Sequence, residues 1–463
     1  MRRLLFALAI VHVLPGQAAA QGAGAAQPRE LRIDYIEDSL PNGLRVLYHV
    51  DNTSPVAAVV LWYDVGSKHE QPGRTGFAHL FEHMMFKGSR NVGDGEHFAL
   101  LEQAGGRAGQ DINGTTSNDR TNYFQQVPSN QLELALWMEA DRMATLLEAV
   151  DSAKLENQRE VVKNERRQGV DNQPYGTAWE NMTERVFPEG HPYHHPVIGS
   201  MEDLSAATLE NVHAFFRTYY APNNAVVVIA GDIDVARTRE MVRRHFGWIP
   251  RGPDKPPLRD MSLPPVIGTE QRLIVRDSLA PAPAVFVGYR MPAAREPRGP
   301  ATTLLAHAMG SGRSSRLYES LVREQQIATS VFAFNFGLVD GADLVLFGAY
   351  GRPTTNPDSL EQALIRELDR AMQGFTEPEL TRAKIRERFD DINALQVLGG
   401  FGGRADRLAE AVTFYDDPNK VNTRLAELDA VTAAQLSALA RERLVPGNRV
   451  RLVYIPAKMG VTP

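Results

Sequence analysis

Apolar positions along the chain fall into short β-type runs separated by longer stretches with helical spacing. Leu44 to Tyr48 and the nearly continuous apolar run Val56 to Tyr63 predict neighbouring strands, and Thr121 to Val127 predicts another. Ala225 to Ile229 and Val450 to Ile455 have the same character. Apolar residues recur three and four positions apart in Glu96 to Gln103, Gln131 to Leu147 and Ser152 to Gln168, which predicts amphipathic helices, with Asp151 placed to cap the last. Strands grouped before and between helices, without strict βαβ alternation, point to an α+β fold rather than a doubly wound sheet.

A proline-rich stretch from Pro250 to Pro265 interrupts this pattern near mid-chain and reads as a linker over 250–266. The segments on either side, 29–249 and 267–463, close alike. Tyr219-Tyr220-Ala221-Pro222-Asn223-Asn224 precedes one apolar run, and Leu444-Val445-Pro446-Gly447-Asn448 precedes another. Two copies of one fold are expected, each a sheet covered by helices.

Composition adds a compartment. Arg2 and Arg3, the apolar run Leu4 to Leu14 and the small residues Ala18-Ala19-Ala20 form the pattern of a secretory signal peptide over 1–20. The run is too short to span a bilayer and is followed at once by Pro15, so no stable membrane span is expected. With no cysteine in 463 residues, disulfides and a lipidated N-terminal cysteine are excluded, and the exported product is expected to be soluble. Removing the two signal arginines takes the formal charge from -6 to -8, and no basic patch suggests nucleic acid. A content of 43% apolar and 23% charged residues is ordinary for globular cores.

The chemistry concentrates in His79-Leu80-Phe81-Glu82-His83. On a helix predicted over Gly76 to Lys87, positions i and i+4 share a face, so both imidazoles can reach one ion, with the Glu82 carboxylate beside them. The order His-x-x-Glu-His is the inverzincin signature. The rest of this helix is apolar, so burying three ionisable groups there without a shared partner would cost several kcal/mol. A hydrolytic zinc site takes three protein ligands, so a third is sought elsewhere. With Val162 at zero and about 100° per residue, Glu165 falls near about -60° and Gln158 near about -40°, while Glu160 points about 160° away. Glu165 is therefore the expected third ligand and Glu160 the alternative. Glu82 is the expected general base.

At this point the chain resembles the pitrilysin family of zinc metallopeptidases, which includes insulin-degrading enzyme, the mitochondrial processing peptidases and half-length bacterial homologues. The resemblance runs through Gly76 to Gly88, Asn113 to Tyr123, Gln158 to Arg167 and Gly310-Ser-Gly-Arg-Ser-Ser-Arg316-Leu-Tyr318, and spans essentially the whole mature chain. It implies one Zn2+ per chain with Glu165 as distal ligand, and two homologous α+β domains forming half of a clam-shell chamber. The remaining half would come from a second pitrilysin-like subunit, identical or homologous. It also implies that the run Asp111 to Tyr123 carries an edge strand on which a peptide adds as an extra strand, with Asn113, Thr115 and Thr116 as candidate substrate contacts. For Asn113, a turn role before Gly114 is an equal alternative.

Two departures stand out. Gln158 occupies a position where the family often has a second carboxylate that supports the metal site. No equivalent of the family's substrate-binding Arg and Tyr is found around Gly341 to Arg352, which favours a partner that supplies them. The expected function is that of an exported, periplasmic zinc endopeptidase acting on peptides or unfolded segments. The rival readings are a non-catalytic partner subunit and, more weakly, a zinc-buffering protein.

Three other features are read structurally. Gly399-Gly-Phe-Gly-Gly403 lacks the Lys-Ser/Thr of a phosphate cradle and reads as an interhelical turn or a mobile lip. His191, His194 and His195 lie among prolines and are expected to pack behind the metal motif. Arg313 and Arg316 either face the chamber or cap local structure.

Overall fold

The computed structural model describes residues 32–459, so the signal-like segment lies outside the described residues. The first six strands are β1 (Ile36–Ser39), β2 (Arg45–Val50), β3 (Val56–Tyr63), β4 (Ile112–Thr116), β5 (Thr121–Pro128) and β6 (Ala225–Gly231). They form one sheet in the order β1-β2-β6-β3-β5-β4. The remaining five are β7 (Gln271–Asp277), β8 (Ala284–Met291), β9 (Ala328–Asn335), β10 (Asp343–Gly351) and β11 (Arg449–Pro456), in the order β7-β11-β8-β10-β9.

Apart from β1 the two sheets share one topology. In each, the last strand inserts parallel to the first and antiparallel to the second, as β6 does between β2 and β3 and β11 does between β7 and β8. The similar closing segments explain how. Each makes a short 3-10 turn, Pro222–Asn224 or Pro446–Asn448, directly before the inserted strand. Asn224 donates to the Tyr219 carbonyl at 2.8 Å and to Asp64 beyond the end of β3, while Asn448 donates to the Arg443 carbonyl at 2.8 Å and to Arg290 near the end of β8. One asparagine in each copy thus ties the preceding helix to the second strand and aims the final strand between its neighbours.

The continuous apolar character of Val56 to Tyr63 has a packing consequence, because a strand apolar at every position needs cover on both faces. On one face of the first sheet, Val59, Leu61, Tyr63, Tyr123 and Val227 pack against Phe77, Leu80, Phe81 and Met84 of the helix Phe77–Met84. On the other face, Ala58, Val60, Trp62 and Phe124 are covered by Ala405, Leu408, Ala409 and Val412, which lie on the helix Arg404–Tyr415 of the second half of the chain. The exchange is reciprocal. Phe286, Leu344, Leu346 and Tyr454 of the second sheet are covered by Met182 and Val186 of the helix Ala178–Val186, together with Phe187 and Tyr193, all from the first half.

Helices form at Glu96–Gln103, Leu132–Ala149 and Ser152–Arg166. Asp151 caps the last through the Lys154 amide, and a five-residue π turn, Arg167–Asp171, follows it. The chain from Arg251 to Pro264 has no regular element. Among the described residues no helix is long and apolar enough to cross a membrane.

Candidate metal centre and substrate edge

The helix Phe77–Met84 begins at Gly76, whose φ of 85° lies in the left-handed region. A Cβ at Gly76 would stand 2.7 Å from the Ile198 carbonyl oxygen, so the close approach also requires glycine. Glycine supplies no capping side chain, and the buried carboxylate of Glu70 replaces it, accepting from the Gly76 and Ala78 amides at 2.9 and 2.7 Å. His195 in turn lies 2.9 Å from Glu70 Oε2, which places this member of the histidine cluster behind the motif helix. Glu70 escaped the sequence reading because it caps from six residues away, outside any standard capping spacing.

His79 and His83 lie edge to face with ring centroids 4.8 Å apart. Glu165, near the end of the helix Ser152–Arg166, brings Oε2 to 3.3 Å from His83 Nε2 and 3.7 Å from His79 Nε2. The predicted face of that helix is the one turned to the motif, while Glu160 is exposed and pairs with Lys163. Ligand atoms around a zinc with bonds of about 2.0–2.1 Å stand about 3.3–3.4 Å apart, so the His83–Glu165 spacing matches such an ion and the His79–Glu165 spacing of 3.7 Å is a little wider. His79 Nδ1 is buried without a protein partner, and both imidazoles present Nε2 to the shared point.

One ligand-type atom each of His79, Glu82 and His83 also falls within 4.8 Å of the others, so Glu82 borders the same point. Its Oε2 accepts from the Thr116 hydroxyl at 2.8 Å. Gly114 makes room for it: a Cβ there would come within 3.2 Å of Glu82 Cγ and 3.0 Å of the Tyr123 ring.

Electrostatics separates the four groups. Burial, reinforced by the charge of His83, lowers His79 to about 4 against the pull of Glu165. Burial also opposes charge on His83, but its hydrogen bond to Glu165 and the charges of Glu165 and Glu82 outweigh it and raise the imidazole. Glu165 is lowered, because the His83 hydrogen bond and the two histidine charges overcome burial. Burial raises Glu82, only partly countered by Thr116, His83 and Arg120. Gln158, with its buried side chain, adds a smaller upward pull on His83 and donates to Asn157 Oδ1 at 2.7 Å.

Strand β4 is the outer edge of the first sheet. The bonds Gln126 N to Asp111 O and Ser117 N to Arg120 O set the phase of its pairing with β5, so odd-numbered residues bond inward and the amide and carbonyl groups of Gly114 and Thr116 turn to the free edge. The three candidate contacts separate across the pleat. Thr116 points to Glu82. Thr115 points to the opposite face, where its hydroxyl lies 2.5 Å from Asn122 Oδ1. Asn113, within β4 and paired with Phe124, accepts from the Gly114 amide at 2.9 Å and reaches the Gly109 carbonyl at 3.4 Å.

Comparison with known proteins gives the family. The family described as Insulinase (Peptidase family M16) matches residues 45–197, and the Peptidase M16 inactive domain matches residues 206–387. The zinc protease PqqE of Helicobacter pylori is 31% identical over 361 residues, covering 77% of this chain and 79% of that protein. An uncharacterized zinc protease of Mycobacterium leprae is 31% identical over 431 residues, covering 92% of this chain and 93% of that one. The chain belongs to peptidase family M16. A probable mitochondrial-processing peptidase subunit beta of Arabidopsis thaliana is more distant, at 24% identity over 416 residues and with 87% of this chain and 75% of that one covered. Among solved structures, a protease from Helicobacter pylori aligns with a TM-score of 0.83 at 27% identity, covering 92% of this chain and all of that one. The periplasmic protease PqqL of Escherichia coli, at 20% identity and a TM-score of 0.72, shares the fold, and the 94% of this chain that aligns covers only 49% of it.

The M16 match containing the motif ends at residue 197, and the second match carries no such motif. In that second half Arg316 forms an ion pair with Glu379, donates to the Gly374 carbonyl at 2.6 Å and lies over the Phe375 ring, so its role is local. Arg313 is exposed.

Proposed function

We propose that this M16 protein is an exported, periplasmic zinc endopeptidase that holds one Zn2+ per chain through His79, His83 and Glu165 and uses Glu82 as general base. The observation that carries the reading is the approach of both Nε2 atoms to Glu165 Oε2, at 3.7 and 3.3 Å, with the half-buried Glu82 carboxylate alongside. Zinc, when bound, supplies Lewis-acid polarisation of the scissile carbonyl and of water. Glu82 accepts the proton of the attacking water at a carboxylate oxygen and returns it to the leaving amine nitrogen. Its raised pKa suits both halves of that cycle, and the Thr116 hydroxyl fixes the carboxylate by holding Oε2. Gln158 orients His83 without adding charge.

Peptide substrates add to the free edge of β4 through main-chain hydrogen bonds with the Gly114 carbonyl and the Thr116 amide and carbonyl, the Gly114 amide being held by Asn113. Thr116 then joins the substrate edge to the base, while Thr115 and Asn113 act through the strand rather than by side-chain contact. The alignment of this chain with half of PqqL supports a chamber completed by a second pitrilysin-like subunit, identical or homologous. The test is cleavage of a quenched fluorescent peptide library by the purified protein, alone and with an M16 homologue from the same organism, with and without a zinc chelator. Chelator-sensitive cleavage is expected. Stoichiometric zinc with no cleavage in any mixture would instead identify a non-catalytic subunit.

A further inference from the structure

Behind β4, on the face away from Glu82, lies a buried polar relay that the proposed chemistry does not use. Asp406, 7% exposed, sits in the first turn of the helix Arg404–Tyr415 contributed by the second half of the chain. Its Oδ1 accepts from Trp62 Nε1 of β3 at 2.7 Å and from Asn122 Nδ2 of β5 at 2.8 Å. Its Oδ2 accepts from the Gly402 amide at 2.8 Å. Asn122 carries the relay outward by accepting the Thr115 hydroxyl. Arg120 closes it: the guanidinium lies 5.2 Å from the centre of the Trp62 ring and donates through Nη1 to the Thr115 carbonyl at 2.8 Å and to the Thr115 hydroxyl. Asp406 is the leading counter-charge for Arg120, ahead of Glu82.

The glycine-rich segment acquires a role here. Gly399 packs so closely that an added Cβ would stand 2.7 Å from Ala58 Cβ, and its amide donates to Gln126 Oε1 at 3.3 Å. Phe401 meets the Phe124 ring of β5 edge to face at 4.7 Å. The segment therefore docks on the back of the sheet that carries the substrate edge, and Gly402 hands its amide to Asp406.

Thr115 is the residue between Gly114 and Thr116, the two whose main-chain groups face the free edge. Clamping its carbonyl and hydroxyl fixes the pleat, and with it the direction of the neighbouring amides and carbonyls. We infer that Arg120 and Asp406 are positioning residues for the substrate edge, and that the Gly399–Gly403 loop and the helix after it are the parts of the second half that hold this edge ready for an extended peptide. The inference rests on the proposed peptide-binding role of β4. An extended peptide with no charge requirement is the matching ligand, because the relay presents no charged group to the edge and reaches it through main-chain geometry, the Arg120 charge being felt by Glu82 rather than by the edge.

The experiment measures the Kd of a fluorescently labelled unstructured peptide by anisotropy, in zinc-free protein so that no turnover intervenes. The proteins are the full chain and its Arg120→Met, Arg120→Lys and Asp406→Asn variants. Met keeps the aliphatic bulk of Arg120 and loses both hydrogen bonds. Asn at 406 keeps an acceptor for β3 and β5 but turns a donor on the Gly402 amide. Arg120→Met and Asp406→Asn are expected to weaken binding roughly fivefold to tenfold, with Arg120→Lys in between. In the zinc-loaded enzyme KM should rise by a similar factor with kcat changed less than about threefold. Circular dichroism and the thermal midpoint identify any variant that fails to fold, in which case the milder Arg120→Lys carries the test. Unchanged Kd in folded variants, or a fall confined to kcat, would overturn the inference. Absence of peptide binding by the full chain would overturn it together with the edge-strand reading. Cleavage by the wild type with unaltered variants would overturn it alone.

Discussion

Glu82 borders two imidazoles that differ in their readiness to carry a proton. His79 is held near 4 by burial and by its neighbour, whereas His83 is raised by Glu165 and Glu82. Support for His83 comes from Gln158, so Gln158→Ala should weaken zinc binding roughly 10- to 100-fold in competition with a chromophoric chelator, and Gln158→Glu should tighten it relative to that variant. A second residue-scale expectation lies away from the metal. In the second half Glu387, 6% exposed, is lowered to about 2: burial opposes its charge, but His307 at 2.6 Å and the Arg424 guanidinium outweigh it. A folded pKa below the unfolded value of 4.5 contributes stability that is complete above about 4.5 and is lost as pH falls towards 2. Urea midpoints measured between pH 6 and 3 should therefore decline less steeply for Glu387→Gln than for the wild type. A parallel decline would remove Glu387 from the acid response.

The elements divide by how local their causes are. The motif helix, the helix Ser152–Arg166 with its Asp151 cap, and the long apolar strand β3 were legible because periodicity and capping act within a few residues. The facing of Glu165 followed from helical phase alone. Other assignments failed to be legible because their partners are remote in sequence. Glu70 caps the motif helix from outside it and is held by His195, and the sides taken by Thr115 and Thr116 depend on the pairing phase of β4. Element by element, β4 is the most sensitive point. Gly114→Val would drive a branched side chain into the Tyr123 ring and Glu82, so activity should fall at least about tenfold while secondary structure, read by circular dichroism, persists. Retention of full activity would mean that the base does not need the position it occupies here.

At the scale of the molecule, the repeated closing segment made the two copies visible in the sequence, but nothing local revealed that each copy covers the outer face of the other's sheet. Met182 illustrates the dependence: it is fully buried against the second sheet although it belongs to the first half. Met182→Ala should cost about 2–5 kcal/mol in a chemical denaturation experiment. Residues 32–459 should unfold in one transition, and segments 32–249 and 267–459 expressed separately should fail to fold, since each leaves an apolar sheet face bare. Two resolved transitions, or an independently folded segment, would contradict this interdependence. The same exchange places the second half directly behind the sheet that ends in β4, so that the proposed substrate edge in one half is supported by both.

The most direct measurement combines metal analysis with peptide hydrolysis for the wild type and Glu82→Gln. The account predicts one zinc per chain in both proteins, with chelator-sensitive hydrolysis by the wild type and a loss of roughly 10²–10⁴-fold in the variant. Undiminished hydrolysis by zinc-loaded Glu82→Gln would contradict it.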